Sequence, residues 1–307
     1  MSKIISTFTE ADVPDQSGKV FVVTGANTGI GYEATRVLAS KGARVLLACR
    51  DELKGKAAAQ RILAVHPKAD LSVLPYDQAD LDSIHRAVDL LQREPGIDVL
   101  VNNAGVMTPP LMRTKQGFEL QFGVNHLGCF AFTGLLLPKL AETGGARVVV
   151  TSSIAHKTGK LDWDDLNAEK SYRRGERYNA SKLGNALFLY ELDRRLRAAG
   201  SSVKAVGCHP GIATTDLSSH IFGGSVLTML LGPIFNTSAM GAWPTLQAST
   251  GEAASGDYFG PQGFKDMRGH SGLARRAPQA TDPALARRLW DASIEMTGVD
   301  PNLAPAS

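Results

Sequence analysis

The chain has 307 residues, enough to bury a large core, and its 43% hydrophobic and 21% charged residues are ordinary for a soluble globular protein. The net charge is only +3, and no basic block interleaves with aromatic residues, which argues against a nucleic-acid partner. The three cysteines, Cys49, Cys129 and Cys208, form no disulfide or metal-ligand pattern, so no metal site is predicted. The first residues lack the apolar run of a signal peptide, and we expect a cytoplasmic protein with no membrane span.

Short apolar runs alternate with helical patterns along most of the chain. Strands are predicted over residues 19–25, 43–50, 71–77, 97–105, 146–153 and 202–211. Helices are predicted over residues 29–42, 51–66, 82–94, 117–140 and 177–200, of which the fourth has glycines at its centre. Strands rich in Val, Ile and Leu, each followed by a helix, predict an α/β Rossmann fold: a doubly wound parallel sheet with helices on both faces.

The C-terminal third of the chain is less regular. We expect one Rossmann domain over residues 1–307, with a short N-terminal extension (1–18) and a variable substrate-binding region from about residue 212. Within that region "GDYFGPQG" (256–263) predicts one last strand. The apolar stretch at 221–235 is interrupted by Gly232 and Pro233 and is too short to cross a bilayer, so it is either a lid over the substrate or an oligomer contact.

The segment "VVTGANTGIG" (22–31) lies where the first predicted strand meets the first predicted helix. A helix N-terminus offers free backbone N–H groups and the positive end of the helix dipole, which together can bind a phosphate. Glycines leave room for the backbone to approach a diphosphate. The turn therefore predicts a dinucleotide site, and its candidate cofactor contacts are Thr24, Gly25, Asn27, Thr28, Gly29, Ile30 and Gly31.

Two polar clusters follow later strands. In "RYNASKLGNA" (177–186), Tyr178 stands four residues before Lys182, so both side chains share one helix face. A nearby ammonium would lower the pKa of Tyr178, which suits a residue that gives up and takes back a proton. In "TSS" (151–153), Ser152 and Ser153 both offer a hydroxyl, but strand alternation points them to opposite faces, so only one can serve.

Together these motifs resemble those of the short-chain dehydrogenase/reductase family. In chain order they are the Gly-x-x-x-Gly-x-Gly turn, "NNAG" (102–105), "VNH" (124–126), "TSS", "YNASK" and "HPG" (209–211). The resemblance implies hydride transfer between a nicotinamide cofactor and a carbonyl or alcohol. It also favours Ser153 over Ser152 as the catalytic serine. The catalytic set that it implies is Asn125, Ser153, Tyr178 and Lys182.

The resemblance also implies individual roles. Tyr178 would be the general acid and base, and Lys182 would also hydrogen-bond the nicotinamide ribose. Asn125 would carry a water that connects Lys182 with solvent. Asp77 would meet the adenine ring, unless it caps the next helix instead. The remaining cofactor contacts would be Asn103, Ala104, Gly105, Pro210, Gly211, Ile212 and Thr214.

The end of the second predicted strand bears on the choice of cofactor. NAD-binding members of such folds place an acidic residue there for the ribose 2′-hydroxyl. This chain has Cys49 at that place, followed by Arg50, and its first carboxylate is Asp51. A guanidinium can pair with a 2′-phosphate, so NADP(H) is predicted over NAD(H), unless Asp51 turns toward the ribose.

The segment between Ser153 and Tyr178 is longer than in simple members of the family. This length, with "LACRD" (47–51), "DDLN" (164–167) and "YFGP" (258–261), resembles the retinol-dehydrogenase-like subgroup. We therefore expect a hydrophobic aldehyde, ketone or alcohol as substrate, and a homodimer or homotetramer is possible. Two other functions stay open: reduction of a C=C bond, as in protochlorophyllide reductases, and a non-catalytic dinucleotide sensor or scaffold.

Four further residues are of types that often act in functional sites, but they are not the chemical groups of any motif. His126 and His209 are expected to be structural. Trp163 and Trp243 either border the substrate pocket or pack in the core or on the surface.

Overall fold

The computed structural model describes residue 4, residues 6–212 and residues 236–306. These residues form one eight-stranded sheet of β1 (Val20–Thr24), β2 (Arg44–Cys49), β3 (Asp70–Pro75), β4 (Val99–Asn102), β5 (Arg147–Thr151), β6 (Lys204–Cys208), β7 (Tyr258–Pro261) and β8 (Ser271–Leu273). The strand order is β3-β2-β1-β4-β5-β6-β7-β8. The first seven strands pair in parallel, and β8 runs antiparallel to β7. The predicted parallel sheet is confirmed.

The helices that cover the sheet are α1 (Gly29–Ser40), α2 (Glu52–Val65), α3 (Leu81–Leu91), α4 (Leu120–Glu142), α5 (Arg174–Ala198), α6 (Ser238–Thr250) and α7 (Pro283–Thr297). Alternation along β1 separates the two faces: Val20 and Val22 pack with α3, α4 and α5, whereas Phe21 and Val23 pack with α1, α2 and α6. Burial of both faces accounts for the continuous apolar runs in the sequence and confirms the doubly wound arrangement.

The C-terminal region contains more regular secondary structure than the sequence predicts. The predicted last strand is β7, but β8, α6 and α7 were not predicted. Helix α7 carries recognisable signals: the Asp282 side chain accepts from two backbone N–H groups, Pro283 is the first helical residue, and Gly298 ends the helix at φ +69°. Because β7 and β8 continue the sheet, this region shares its core.

Helix α4 is the most apolar helix of the described residues and is largely buried. Of the helices in the described ranges, it alone has the length and hydropathy to cross a bilayer, and 89% of its most apolar window is buried inside the protein. Its centre, Gly123–Gly128, is a π-helical segment, in the place where glycines weakened the predicted helix. Such segments are frequent at functional sites.

The order of the strands determines where a ligand can bind. The chain adds β2 and β3 on one side of β1 and adds β4, β5 and β6 on the other, so the topological switch lies between β1 and β4. The glycine turn, the "NNAG" segment, the serine segment and the "HPG" loop all follow the carboxyl ends of strands at this edge. Thr214 and the apolar stretch at 221–235 lie outside the described residues.

Candidate active site

The glycine turn joins β1 to α1 with two residues in the left-handed region, Gly25 at φ +68° and Gly29 at φ +56°. Gly31 has no room for a side chain, because a Cβ there would lie 2.3 Å from the Gly25 carbonyl oxygen. The N-cap residue of α1, Thr28, makes no side-chain capping hydrogen bond. The first N–H groups of α1 are therefore available to an anion.

The "NNAG" segment holds this turn in place. The Thr24 hydroxyl accepts from the backbone N–H groups of Asn103 (3.0 Å) and Ala104 (2.9 Å) and donates to the Val101 carbonyl (3.3 Å). The Asn103 side chain in turn donates to the Thr24 carbonyl (2.9 Å). The ends of β1 and β4 are thus joined by side chains, and Gly105, at the end of the segment, is exposed.

On one side of Gly105 a cavity of about 290 Å³ opens beside the end of β2. It is bordered by Gly25, Asn27, Cys49, Arg50, Asp51, Lys54, Asp77, Gly105 and Val106, among others. Cys49 is buried and Arg50 is exposed. The Asp51 carboxylate accepts from the Lys54 backbone N–H (3.0 Å) and caps α2. Lys54 is a second cation on this cavity that the sequence analysis did not select.

Asp77 also borders this cavity. Its hydrogen bonds are not those of a residue that caps the next helix. Its carboxylate accepts from the Ala79 N–H (2.9 Å) in a local turn. The N-cap of α3 is Asp80, whose carboxylate accepts from the Asp82 N–H. The interpretation of Asp77 as the cap of the next helix is therefore wrong, because the N-cap position lies three residues further along the chain, at Asp80.

On the other side of Gly105 lies a larger cavity of about 690 Å³. It brings together residues from distant parts of the chain: Ile30, Asn103, Gly105, Val106, Met107, Thr151, Ser152, Ser153, Ile154, Ala155, Lys157, Thr158, Tyr178, Lys182, Pro210, Gly211, Ile212, Lys265 and Met267. The surface is mostly apolar. Because Gly105 and Val106 border both cavities, the two spaces adjoin and could accept one elongated ligand.

The two serines after β5 have different partners. The Ser152 hydroxyl donates to the Lys182 carbonyl (2.7 Å) and so is occupied by α5. The Ser153 hydroxyl accepts from the Ala155 N–H (3.2 Å), and Ser153 borders the larger cavity together with Tyr178 and acts to lower the pKa of that phenol. The geometry therefore pairs Ser153, and not Ser152, with Tyr178.

Tyr178 and Lys182 both face the larger cavity from α5. The Lys182 Nζ lies 5.9 Å from the centre of the Tyr178 ring and donates to the Thr151 carbonyl (3.4 Å). Burial lowers the pKa of Lys182 to about 8. Burial raises the pKa of Tyr178 above its usual value, and Ser153 offsets part of that rise. The expectation of a lowered pKa for Tyr178 is thus wrong for the protein alone, because burial of the phenol raises its pKa more than Ser153 lowers it.

Asn125 is fully buried in the π-helical segment of α4. Its Oδ1 accepts from the Val106 N–H (2.7 Å), and its Nδ2 donates to the Val106 carbonyl and to the Ser181 hydroxyl (both 2.9 Å). Both amide hydrogens are therefore in use. A Cβ on Gly105 would lie 3.0 Å from Asn125 Oδ1 and 3.4 Å from Lys182 Nζ, so these two groups flank the same backbone position.

The loop after β6 contributes Pro210, Gly211 and Ile212 to the larger cavity. Gly211 adopts φ +72°, and a Cβ there would lie 2.3 Å from the Met267 carbonyl oxygen. That same carbonyl accepts from the Ile212 N–H (2.9 Å). The "HPG" segment is thus fastened to the loop between β7 and β8.

The β7–β8 loop forms a wall that the sequence did not suggest. Lys265 and Met267 border the cavity, and Asp266 forms an ion pair with Lys157 (2.6 Å) from the opposite side. Lys265 and Asp266 adopt φ +52° and +60°, rare values for residues with side chains. Their spacing of more than 100 residues from Ser153 leaves no local pattern that could have revealed this wall.

The other residues that the sequence singled out pack away from the two cavities. His126 and His209 are buried, and burial lowers the pKa of each to about 3, so both are neutral. Trp163 packs against the core with the Arg288 guanidinium 4.1 Å from its centre, and Trp243 stacks on His270 at 5.6 Å. The structural interpretation is confirmed for His126, His209 and Trp243, whereas Trp163 also borders a third cavity of about 390 Å³ that shares Lys157 and Thr158 with the larger one.

The family model described as "short chain dehydrogenase" matches residues 19–224. Human retinol dehydrogenase 12 is 42% identical over 288 residues, covering 92% of this chain and 87% of that protein. Human retinol dehydrogenase 13 is 40% identical over 296 residues, covering 92% and 86%. The chain belongs to the short-chain dehydrogenase family. Within it, the chain is similar to the retinol dehydrogenases, as the motifs predicted, and it is an NAD(P)-dependent oxidoreductase that acts on alcohols or carbonyls.

Solved structures agree with this membership. A protein of Mycobacterium paratuberculosis described as putative and uncharacterized superposes with a TM-score of 0.82 at 37% identity, covering 97% of this chain and all of that one. A short-chain dehydrogenase described as a gluconate 5-dehydrogenase from Beutenbergia cavernae, with bound NADP, has a TM-score of 0.61 at 21% identity and covers 77% of this chain and 91% of its own. The second likeness shows the fold alone.

Proposed function

We propose that this short-chain dehydrogenase interconverts a bulky apolar aldehyde or ketone and its alcohol with NADP(H), and that Tyr178 is the acid and base. The convergence of Ser153, Tyr178 and Lys182 on the wall of one mostly apolar cavity carries the proposal. A non-catalytic sensor would need the glycine turn. It would not need two hydroxyls and a buried lysine that face the cavity.

The residues present fit a dinucleotide. The uncapped N-terminus of α1 and the crowding at Gly31 form a cradle for a diphosphate. Asp77 and Arg50 would hold the adenosine end in the smaller cavity, and Lys182 would hold the ribose of the nicotinamide end in the larger one. Thr24 is buried, and Thr214 lies outside the described residues. The remaining contacts proposed from the family motifs that border one of the two cavities are Gly25, Asn27, Ile30, Asn103, Ala104, Gly105, Pro210, Gly211 and Ile212.

The chemistry divides between the cofactor and the side chains. The nicotinamide supplies the hydride that reaches the carbonyl carbon. Ser153 donates a hydrogen bond to the carbonyl oxygen and stabilises the negative charge that develops there. Tyr178, with a raised pKa, is a neutral phenol at neutral pH and gives its proton to that oxygen. In alcohol oxidation the same proton returns to Tyr178.

Asn125 and Lys182 support this pair. Asn125 holds Val106 and Ser181, so it joins the "NNAG" segment to the helix of Tyr178. Its side-chain hydrogens are used in those bonds, so the water link to Lys182 proposed for this residue would use its backbone carbonyl. Lys182, with a pKa of about 8, can exchange protons with solvent near neutral pH.

Three observations support NADP over NAD. Arg50 and Lys54 both border the smaller cavity, so two cations are available for a 2′-phosphate. Asp51 is engaged as the cap of α2 and so does not turn toward a ribose hydroxyl. Cys49, at the usual acidic position, is buried and makes only a weak contact with the Leu47 carbonyl.

The substrate class follows from the cavity and the relatives. The larger cavity is mostly apolar, with Val106, Met107, Ile154 and Met267 on its walls. Two human relatives about 40% identical over most of this chain are named retinol dehydrogenases. We infer an apolar substrate of retinoid size, with the carbonyl or alcohol at its end.

The test is an NADPH oxidation assay against a panel of apolar aldehydes and ketones, with retinal among them. Turnover in the wild type that disappears in Tyr178→Phe would support the proposal. Tyr190→Phe is the matched control, because it removes a phenol hydroxyl from the same helix outside the cavity. NADPH binding without turnover on any carbonyl, or turnover that survives in Tyr178→Phe, would contradict the proposal.

A further inference from the structure

A buried histidine follows Ser153 in the 3₁₀ turn Ile154–Thr158. His156 is fully buried, and its Nδ1 hydrogen-bonds the Ser153 carbonyl oxygen. Its Nε2 lies 3.1 Å from the backbone nitrogen of Ala277, 121 residues away. A backbone N–H can only donate, so Nε2 must accept and Nδ1 must carry the hydrogen. His156 is therefore a neutral ring held in one tautomer.

The Ser153 carbonyl receives two hydrogen bonds from this one residue. The His156 backbone N–H also donates to it (3.1 Å). On the other side of Ser153, its hydroxyl accepts from the Ala155 N–H, and the residue borders the cavity that Tyr178 also borders. The orientation of the Ser153 hydroxyl thus depends on the turn that His156 closes.

The groups around the ring keep it neutral. The Tyr258 ring packs edge-on against it at 5.7 Å and stacks in turn on His209. Burial lowers the pKa of His156, and the positive charges of Lys157 and Arg276 lower it further. Protonation would also remove the acceptor for Ala277, so charging the ring would break its link to the C-terminal segment.

We propose that His156 is a positioning residue: the hydrogen bond from its Nδ1 to the Ser153 carbonyl fixes the Ser153 hydroxyl in the cavity that Tyr178 also borders, and the bond from the Ala277 N–H holds the ring in the tautomer that makes it. This rests on the proposed function of Ser153 and extends it to a residue that never touches substrate. A displaced donor stabilises a developing oxyanion less, and a shift of about 1 Å can lower a rate about 100-fold. The loss should fall on kcat, because His156 borders neither of the two cavities.

Two substitutions separate the two hydrogen bonds of the ring. The amide of His156→Asn replaces Nδ1 and can still donate to the Ser153 carbonyl, but it is too short to reach Ala277. The longer His156→Gln can accept from Ala277 but leaves the side-chain bond to Ser153 unmade. We expect His156→Asn to keep kcat within about threefold and His156→Gln to lose about 10- to 100-fold, with NADPH affinity unchanged in both.

Gln279→Ala is the matched control. Its side chain links the same C-terminal segment to the Lys157 carbonyl (3.0 Å) without touching Ser153, so its kcat should not change. Melting temperatures are measured for all three variants. If both His156 variants lose kcat in proportion to their melting temperatures, or if His156→Gln keeps full kcat, the ring is only structural and the inference is overturned. Failure of the proposed function would give a different result, because the Tyr178→Phe variant would then still turn over substrate.

Discussion

The ammonium nitrogen of Lys182 lies 5.9 Å from the centre of the Tyr178 ring, one turn further along α5. Lys182 is only 6% exposed, and its described hydrogen bond runs to a backbone carbonyl at 3.4 Å. The protein therefore keeps a cation in its interior without a carboxylate bonded to it among the described residues. A buried charge of this kind weakens the fold, and in the proposed function Lys182 would hold the nicotinamide ribose beside the phenol.

The stability of the cofactor-free protein should depend on pH through Lys182. Its pKa is about 8 in the folded protein against 10.5 for the ordinary side chain, so the unfolded chain binds the extra proton between these values. The penalty for the buried charge is complete below pH 8 and fades as pH rises toward 10.5. Lys182→Met should therefore raise the free energy of unfolding by about 1–3 kcal/mol at pH 7 and by much less at pH 9.5. Urea unfolding at both pH values measures this, and an equal gain at both would contradict it.

Ser152 and Ser153 should respond differently to loss of the hydroxyl. Ser153→Ala removes the donor beside Tyr178 and should lower kcat about 100- to 1,000-fold. Ser152→Ala removes a buried hydrogen bond to the Lys182 carbonyl and should cost about 1 kcal/mol of stability while kcat stays within a few-fold. Steady-state kinetics and thermal melts on both variants decide the assignment. A larger kcat loss in Ser152→Ala would reverse it.

Gly31 should tolerate no side chain. A Cβ there would lie 2.3 Å from the Gly25 carbonyl oxygen and 2.5 Å from Asn103 Nδ2, both in the motif that shapes the phosphate cradle. Gly31→Ala should cost about 1–3 kcal/mol and weaken NADPH binding measured by fluorescence. Gly175→Ala, in open space at the start of α5, should be neutral or stabilising by up to about 1 kcal/mol. Unchanged NADPH affinity in Gly31→Ala would show that the cradle lies elsewhere.

Arg50 and Lys54 should determine the preference between the two nicotinamide cofactors. A hydrogen bond from a charged donor to a phosphate contributes about 1.5–3 kcal/mol, so Arg50→Ala and Lys54→Ala should each weaken NADPH binding about tenfold or more and leave NADH binding unchanged. Lys56→Ala, an exposed lysine of α2 outside the cavity, is the control. Calorimetric titration with both cofactors tests this. Equal losses for NADH and NADPH would mean that neither cation meets a 2′-phosphate.

The sheet could be predicted from its apolar runs, and the centre of the site could be predicted because its residues lie in short sequence motifs. A phosphate turn needs Gly25, Gly29 and Gly31 within seven residues, and a phenol–ammonium pair needs one helical turn between Tyr178 and Lys182. Each motif also follows a buried strand, whose apolar run is itself visible in the sequence.

What could not be predicted depends on contacts between distant segments. The wall at Lys265 and Met267 and the anchor between His156 and Ala277 join residues more than 100 positions apart. The raised pKa of Tyr178 comes from burial, which its spacing from Lys182 does not reveal. Helix α7 is different, since its Asp-Pro start and glycine stop were readable and were not used.

The most direct test of the account uses NADPH in which both hydrogens at nicotinamide C4 are replaced by deuterium, with retinal as the carbonyl and mass spectrometry of the product. The account predicts deuterium on the carbinol carbon, with product formation lost in Tyr178→Phe although that variant still binds NADPH. Deuterium on an alkene carbon would indicate reduction of a C=C bond instead. Product that carries no deuterium, or that forms at the full rate without the Tyr178 hydroxyl, would contradict the central claim.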